Sequence, residues 1–429
     1  MKVVKFSLVT MAAALLTIGL SGMAYAFHSG GVAECGGCHS MHAPATGGTS
    51  LLIRVDQSST CLSCHANSET VGSSYHIMSY PVPAAGSAPV ERNPGGDFAW
   101  LSKNYSFTVR GTTTTENGQT HGHNVIANDF GLAVDGDNST APGGTFPSSQ
   151  LSCVSCHDPH GHYRRLGGDT TYTIAATGAP IIGSGSYNTS LVPTATQAVG
   201  VYRLLWGAPT TGVGPVTPPV AYPGVPVASA PSTYNRTEAS TQTRVAYGTA
   251  IGNGITTWGQ WCATCHPGMH STGNLVHPVD QGLGTTISGI YQAYVSSGIM
   301  TGTSATSYLS LVPFMENTGD YTVLKSHAQN NNTFLNGPGT SDQVSCLTCH
   351  RGHASGFMDM LRWSMEGEFI TLADGSGNAV WPGTDTTPNS PQFARGRTSA
   401  ETQAAYYDRP ATVFGAYQRV LCNKCHAQD

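Results

Sequence analysis

The chain has 429 residues and a formal net charge of −5, and only 10% of its residues are charged, against about 25% in an ordinary soluble domain. That balance excludes a nucleic-acid binder, which needs a basic patch, yet the charge is too low for a disordered chain. With 52 glycines and 25 prolines, the sequence reads as loop-rich, so something other than regular elements must fill its interior.

The N-terminus reads as an export signal, residues 1–26. Lys2 and Lys5 precede an apolar run from Phe6 to Leu20, and Ala24-Tyr25-Ala26 forms a small-residue cleavage site before Phe27. The run of about 15 residues is shorter than the ~20 a membrane span requires. No Cys follows the site, which disfavours a lipoprotein. The expectation is an exported protein with no transmembrane segment.

Twelve cysteines then follow in six identical frames. They are Cys35/Cys38/His39, Cys61/Cys64/His65, Cys153/Cys156/His157, Cys262/Cys265/His266, Cys346/Cys349/His350 and Cys422/Cys425/His426. C-x-x-C-H is the attachment frame of c-type haem: the thiols form thioethers to the porphyrin and the histidine ligates the iron. Zinc ribbons lack the obligatory following histidine, and every cysteine is used, so no disulfide remains. The expected cofactors are six covalent haems. The expected fold is an irregular, loop-rich multihaem cytochrome c with a few short α-helices, very little β structure and a haem-filled core. Burial of porphyrin, at ~25 cal/mol per Å² of apolar surface, replaces a leucine-rich interior. Haem propionates add to an already acidic chain and favour cationic or basic partners.

Of 17 histidines, six are proximal ligands, and the remainder must supply the opposite faces. The pattern His, spacer, C-x-x-C-H-x-x-H occurs three times, at His28/His39/His42, His123/His157/His160 and His327/His350/His353. Each is followed by a solitary C-x-x-C-H. The chain therefore divides into two-haem modules at 27–110, 111–275 and 310–429, with a proline-rich connector at 207–233 and a helical insert at 276–309, all in one continuous unit. A histidine three residues after a proximal ligand cannot reach the other face of the same iron, so His42, His160 and His353 should serve neighbouring haems. His28, His123 and His327 complete the set of distal candidates, with His76 and His277 as strong reserves and His270 a weaker one. His121 and His162, two residues from better candidates, read as structural. Bis-histidine ligation leaves no open iron and points to electron transfer rather than catalysis.

Between the motifs, an apolar period at Ile287, Ile290, Tyr291, Tyr294 and Val295 predicts a helix to Ser297, capped by Thr286 and stopped by Gly298. Short helices are expected at Met358–Met365, Glu401–Tyr407 and Val413–Cys422. Asp135-Gly136-Asp137-Asn138 hints at a calcium loop but lacks its later glycine and glutamate, so a solvated turn is the better reading.

Together with the six-motif layout, Phe27 to Cys35 (FHSGGVAEC), Cys156 to Arg165 (CHDPHGHYRR), Pro231 to Gly248 (PSTYNRTEASTQTRVAYG), His353 to Phe357 (HASGF) and Leu421 to His426 (LCNKCH) resemble the outer-surface hexahaem cytochromes of metal-reducing bacteria that polymerise into filaments. The resemblance implies an extracellular conducting homopolymer of bis-histidine haems, alternating parallel and T-shaped. It would be fed by donor cytochromes and discharge to metal oxides or other external acceptors. The same resemblance implies that His42 ligates a haem of the next protomer, with the haem of Cys346, Cys349 and His350 as target. A reductase of small oxyanions would need an open iron, often marked by C-x-x-C-K, and no motif departs from His. A soluble periplasmic shuttle is the other alternative.

Overall fold

The computed structural model describes residues 35–427, apart from 43, 46–50, 68–74, 177, 208–218, 250–254, 271–276 and 387–389. Residues 1–26 and His28 lie outside the described residues. Regular structure is sparse: the longest helices are Gly284–Ala293 and Gln57–His65, and the strands run from two to five residues. A hairpin pairs Tyr105–Val109 with Thr112–Glu116. One three-stranded sheet centres on Arg164–Leu166, flanked by Thr173–Ala175 and Val199–Gly200. Another centres on Ala246–Gly248, antiparallel to Val227–Ser229 and parallel to Met315–Glu316. Among the described residues, no helix is long and apolar enough to cross a membrane.

Several elements differ from expectation for identifiable reasons. The insert helix spans Gly284–Ala293 and stops before Tyr294, whose carbonyl accepts the buried Lys424 Nζ at 2.6 Å rather than a helical N–H. Val413–Cys422 is not a helix; only Ala411–Val413 makes a 3-10 turn, because Gly415 and Tyr417 both take positive φ. Met358–Met365 shortens to the 3-10 turn Met358–Met360, where Asp359 and Met360 have φ of 55° and 50°. The helix expected at Glu401–Tyr407 is Ser399–Ala405, with Thr398 and Glu401 as a capping box. Of the proline-rich stretch, Val227–Ser229 is a buried edge strand and 208–218 lie outside the described residues. At Asp135, Oδ1 accepts the N–H groups of Asp137 and Asn138 at 2.8 Å each, the geometry of a self-satisfied turn.

Aromatics carry the interior. The largest apolar cluster joins Leu62, Phe98, Val125, Tyr291, Trp363, Trp381, Tyr406 and Phe414, while the stretch between the third and fourth motifs packs into separate clusters around Tyr202, Val227 and Trp206. Several of the scarce charges are buried in pairs. Arg244–Glu316 (2.9 Å), Arg165–Asp169 (2.9 Å), Lys103–Glu401 (3.3 Å) and Arg409–Glu238 are all buried pairs, as buried charges must be. Arg165 also lies 3.4 Å from the centroid of the Tyr321 ring.

Candidate haem centres

Cysteine pairs three residues apart project from one face when the chain makes a single helical turn. That turn is present at Cys35–Cys38, Cys153–Cys156 and Cys346–Cys349. Ser152/Ser155 and Ser345/Thr348 cap the latter two reciprocally. The second motif ends the helix Gln57–His65, capped by Asp56, whose carboxylate accepts the Ser59 N–H at 2.6 Å. The fourth follows the Thr257/Gln260 capping box of Trp258–Ala263, and the sixth closes the chain in Asn423–His426.

Five of the six motifs, the second to the sixth, wall a single cavity of about 2300 Å³ together with His76, His123, His277 and His353. Along it the thiols follow chain order. Cys38 neighbours Cys64, and Cys61 is within hydrogen-bond reach of Cys153. Cys156 neighbours Cys265, Cys262 meets Cys346, and Cys349 neighbours Cys422 and Cys425. Successive motifs therefore touch through alternate ends of their C-x-x-C turns.

The histidines are oriented by the backbone. Nδ1 of His65 lies 2.6 Å from the Tyr75 carbonyl, of His157 2.7 Å from that of Arg203, of His266 2.9 Å from that of Pro142, and of His350 2.7 Å from that of Asp359. A carbonyl can only accept, so each ring carries its proton on Nδ1 and turns the Nε2 lone pair outward, the tautomer a metal requires. Burial lowers the basicity of His65, His123, His157 and His350, and takes His353 down to about 3, which keeps these rings neutral.

Across from four of the six C-x-x-C-H histidines stand second imidazoles. A metal–imidazole nitrogen bond is about 2.0–2.1 Å, which places the centroids of two rings trans on one metal about 6.3 Å apart. Ring centroids lie 6.4 Å apart for His39–His160, 6.1 Å for His123–His266, 6.4 Å for His157–His353 and 6.2 Å for His277–His426. Each pair joins a C-x-x-C-H histidine to one of the distal candidates. His123 and His353 ride one backbone bridge: His123 N–H donates to the His353 carbonyl at 2.9 Å, and His123 Nδ1 to the Gly352 carbonyl at 3.0 Å. Gly122 permits the approach, since a Cβ there would meet the His353 oxygen at 2.3 Å. Asp158 aims His160 by accepting its N–H at 3.0 Å.

Other histidines are placed elsewhere. His121 is fully buried, with Nδ1 3.2 Å from the Trp100 carbonyl and Nε2 2.8 Å from Glu116. His162 bonds Asp158 at 2.7 Å and His270 bonds Asp280 at 2.9 Å. His327, a sequence candidate, is not on the cavity wall. Its Nδ1 is 2.6 Å from Glu316, and its face stacks on Phe334 at 3.9 Å. His76 is buried on the wall. His42 is exposed, beside the 79%-exposed Met41. Among the described residues, no aromatic ring faces His350.

One feature escaped the motif reading. The loop that receives the proximal histidine repeats in the first, third and fifth motifs: Ser40 N–H donates to Leu51 O (2.7 Å), Asp158 N–H to Leu204 O (2.7 Å) and Arg351 N–H to Met360 O (2.9 Å), while Ile53, Trp206 and Arg362 donate back to Cys38, Cys156 and Cys349. Leu51, Leu204 and Met360 take φ of 58°, 50° and 50°. The only sequence signal is the dipeptide Leu-Leu, Leu-Leu, Met-Leu at 51–52, 204–205 and 360–361.

No protein-family model matches the chain. It is 49% identical over 450 aligned residues to the C-type cytochrome OmcS of Geobacter sulfurreducens, an alignment that spans the whole of both chains. The chain belongs to the OmcS family of c-type cytochromes. Two solved structures, of OmcS nanowires by cryo-electron microscopy and of an Outer Membrane Cytochrome S filament from the same organism, superpose with TM-scores of 0.84 and 0.83 at 48% identity. Each covers 94% of this chain and 100% of its own. Membership of the OmcS family accounts for the irregular fold, and the paired cysteines, the outward-turned Nε2 atoms and the facing rings all fit a c-type haem.

Proposed function

We propose that this protein is an exported hexahaem electron carrier that polymerises outside the cell and conducts electrons along the filament to external acceptors such as metal oxides. When bound, haem iron carries one electron by cycling between ferric and ferrous states. The chain's part would be to hold each iron between two imidazoles, with His65, His123, His157, His266 and His350 turned by Nδ1 hydrogen bonds to backbone carbonyls, and to line the centres up in chain order. Filled coordination at each iron supports a carrier rather than an enzyme.

The observation that carries the polymer reading is a ligand exchange with one member missing. His160, the second histidine of the third motif, faces His39 of the first; His353, from the fifth, faces His157 of the third. Each C-H-x-x-H frame thus donates backward to the frame before it. By that rule His350 needs the second histidine of a following frame, and the chain has none. His42, exposed and spare, is its counterpart in the first frame of a neighbouring copy. For His426 the partner is His277, not His327. For His65 it is His28, by the same repeat that sets His123 opposite His266 in the solitary fourth motif, with His76 as the alternative.

His42→Ala tests the reading. It should abolish filaments and leave a folded monomer with one five-coordinate, carbon-monoxide-binding haem in six. Filaments of ordinary length from the variant would refute it. A wild-type filament with one haem in six high-spin would instead favour an open iron at His350 and reductase chemistry.

A further inference from the structure

The third and fifth motifs are received by the same loop. In both, a backbone carbonyl accepts the proximal Nδ1–H (Arg203 from His157, Asp359 from His350, each 2.7 Å), and its residue and the next are left-handed. That conformation is unfavourable for any residue with a Cβ, and the carbonyl alone orients the histidine. Nothing in this role specifies the side chain, yet the two loops carry opposite charges. Arg203 is held in a cradle of tyrosines, its guanidinium carbon 4.3 Å from the ring centroid of Tyr234, 4.8 Å from that of Tyr187 and 5.1 Å from that of Tyr202. All four residues line the cavity. Among the described residues, no carboxylate forms a salt bridge with it. Asp359 lines the same cavity from an exposed position.

We propose that this loop position is a charge switch for the haem it serves: Arg203 raises the reduction potential of the haem on His157, and Asp359 lowers that of the haem on His350. The inference rests on the reading of those histidines as proximal ligands. The oxidised centre carries one more positive charge than the reduced one, so a fixed cation nearby disfavours oxidation and an anion favours it. Arg203 acts from a cavity walled by aromatic rings, where the effective permittivity is low and screening weak. Asp359 faces solvent, and its influence falls with ionic strength. The two loops would thus set adjacent stretches of the haem chain at different potentials without altering a ligand.

Spectroelectrochemical titration of the haem-loaded protein reads this directly. Arg203→Met should make one of the six one-electron components easier to oxidise by about tenfold at fixed potential, a shift of about 59 mV to more negative values. Arg203→Lys should restore it. Asp359→Asn should move a different component to more positive potential by a few-fold, less at high salt. Low-spin spectra should be unchanged throughout. Unmoved components, shifts of the same sign, or a lysine variant that behaves like methionine would overturn the proposal. Should Arg203→Met lose a haem, Asp359→Asn decides alone, and no positive shift there overturns it. Fewer than six haems by pyridine haemochrome in the wild type would strike the ligand reading instead.

Discussion

Gly95→Ala places one methyl group against a single distal histidine. A Cβ on Gly95 would lie 2.8 Å from His353 Nδ1, 3.0 Å from its Cε1 and 3.2 Å from its Cγ. Ordinary contact begins near 3.4 Å, so the ring must retreat by about 0.6 Å. Its other side stacks on Phe98, with centroids 4.7 Å apart and planes 22° apart, which closes the route of rotation. Its backbone N–H donates to the Gly95 carbonyl at 2.7 Å, so the residue cannot drift as a whole. Metal–ligand distances tolerate about ±0.2 Å, so a displacement three times larger strains the bond across from His157. Overpacking of a tight site costs about 1–3 kcal/mol, and most of that should fall on the ligand bond.

The assay is electron paramagnetic resonance of the oxidised protein, with thermal melting alongside. Gly95→Ala should show a high-spin fraction confined to one haem in six and a lowered Tm. Combined with His353→Ala, the methyl group should cost nothing further, because the ring it strikes is gone; the double-mutant cycle should return a coupling of at least about 1 kcal/mol. Wild-type spin state and melting in Gly95→Ala would refute both the packing argument and the placement of His353 as a ligand.

Three further outcomes follow from the same geometry. His277→Ala should open one haem to carbon monoxide, whereas His327→Ala should leave all six low-spin and cost the Glu316 hydrogen bond and the Phe334 stacking, read by ligand-binding spectroscopy. Burial pushes the Glu116 carboxyl up, but the His121 and Arg397 hydrogen bonds and charges outweigh it and hold it well below its usual 4.5. A depressed folded value stabilises above the unfolded value and is lost as pH falls. Denaturant titrations should therefore show stability falling below about pH 4.5 in the wild type and a flatter profile in Glu116→Gln; identical profiles would count against the ion cluster. Arg203→Met and Asp359→Asn should shift haem potentials in opposite directions.

The haem frames were legible because thioether chemistry and proximal ligation are written in five consecutive residues. The opposite faces were less so. That His160 and His353 turn to histidines of other motifs was expected from spacing alone, since no chain three residues long can wrap a porphyrin. That the His277 ring, and not His327, faces His426 could not be read, because it depends on where Glu316 and Phe334 stand in the folded chain, and both are remote in sequence from the sixth motif. The receiving loops of the first, third and fifth motifs were hidden for a different reason: a carbonyl performs the function, and it leaves no trace in sequence beyond the Leu-Leu or Met-Leu pair beside it. Helix ends failed where a tertiary partner outbid the helix, as Lys424 does at Tyr294.

Backward donation also explains why an irregular chain can stay in register over a long filament. Inside one protomer, His160 faces His39 and His353 faces His157; on the proposed reading each pair would tie one stretch of chain to an earlier one through a shared metal rather than through matched apolar faces. If His42 ties the first module to the last module of a neighbour by the same rule, the contact between protomers differs from the contact within one only in lacking a peptide connection. Length is then limited by the supply of free His350 sites. Each filament would then carry an unfilled His350 site at one tip and a spare His42 at the other, so it is polar, and the same bond that adds a protomer would complete the coordination that electrons must cross.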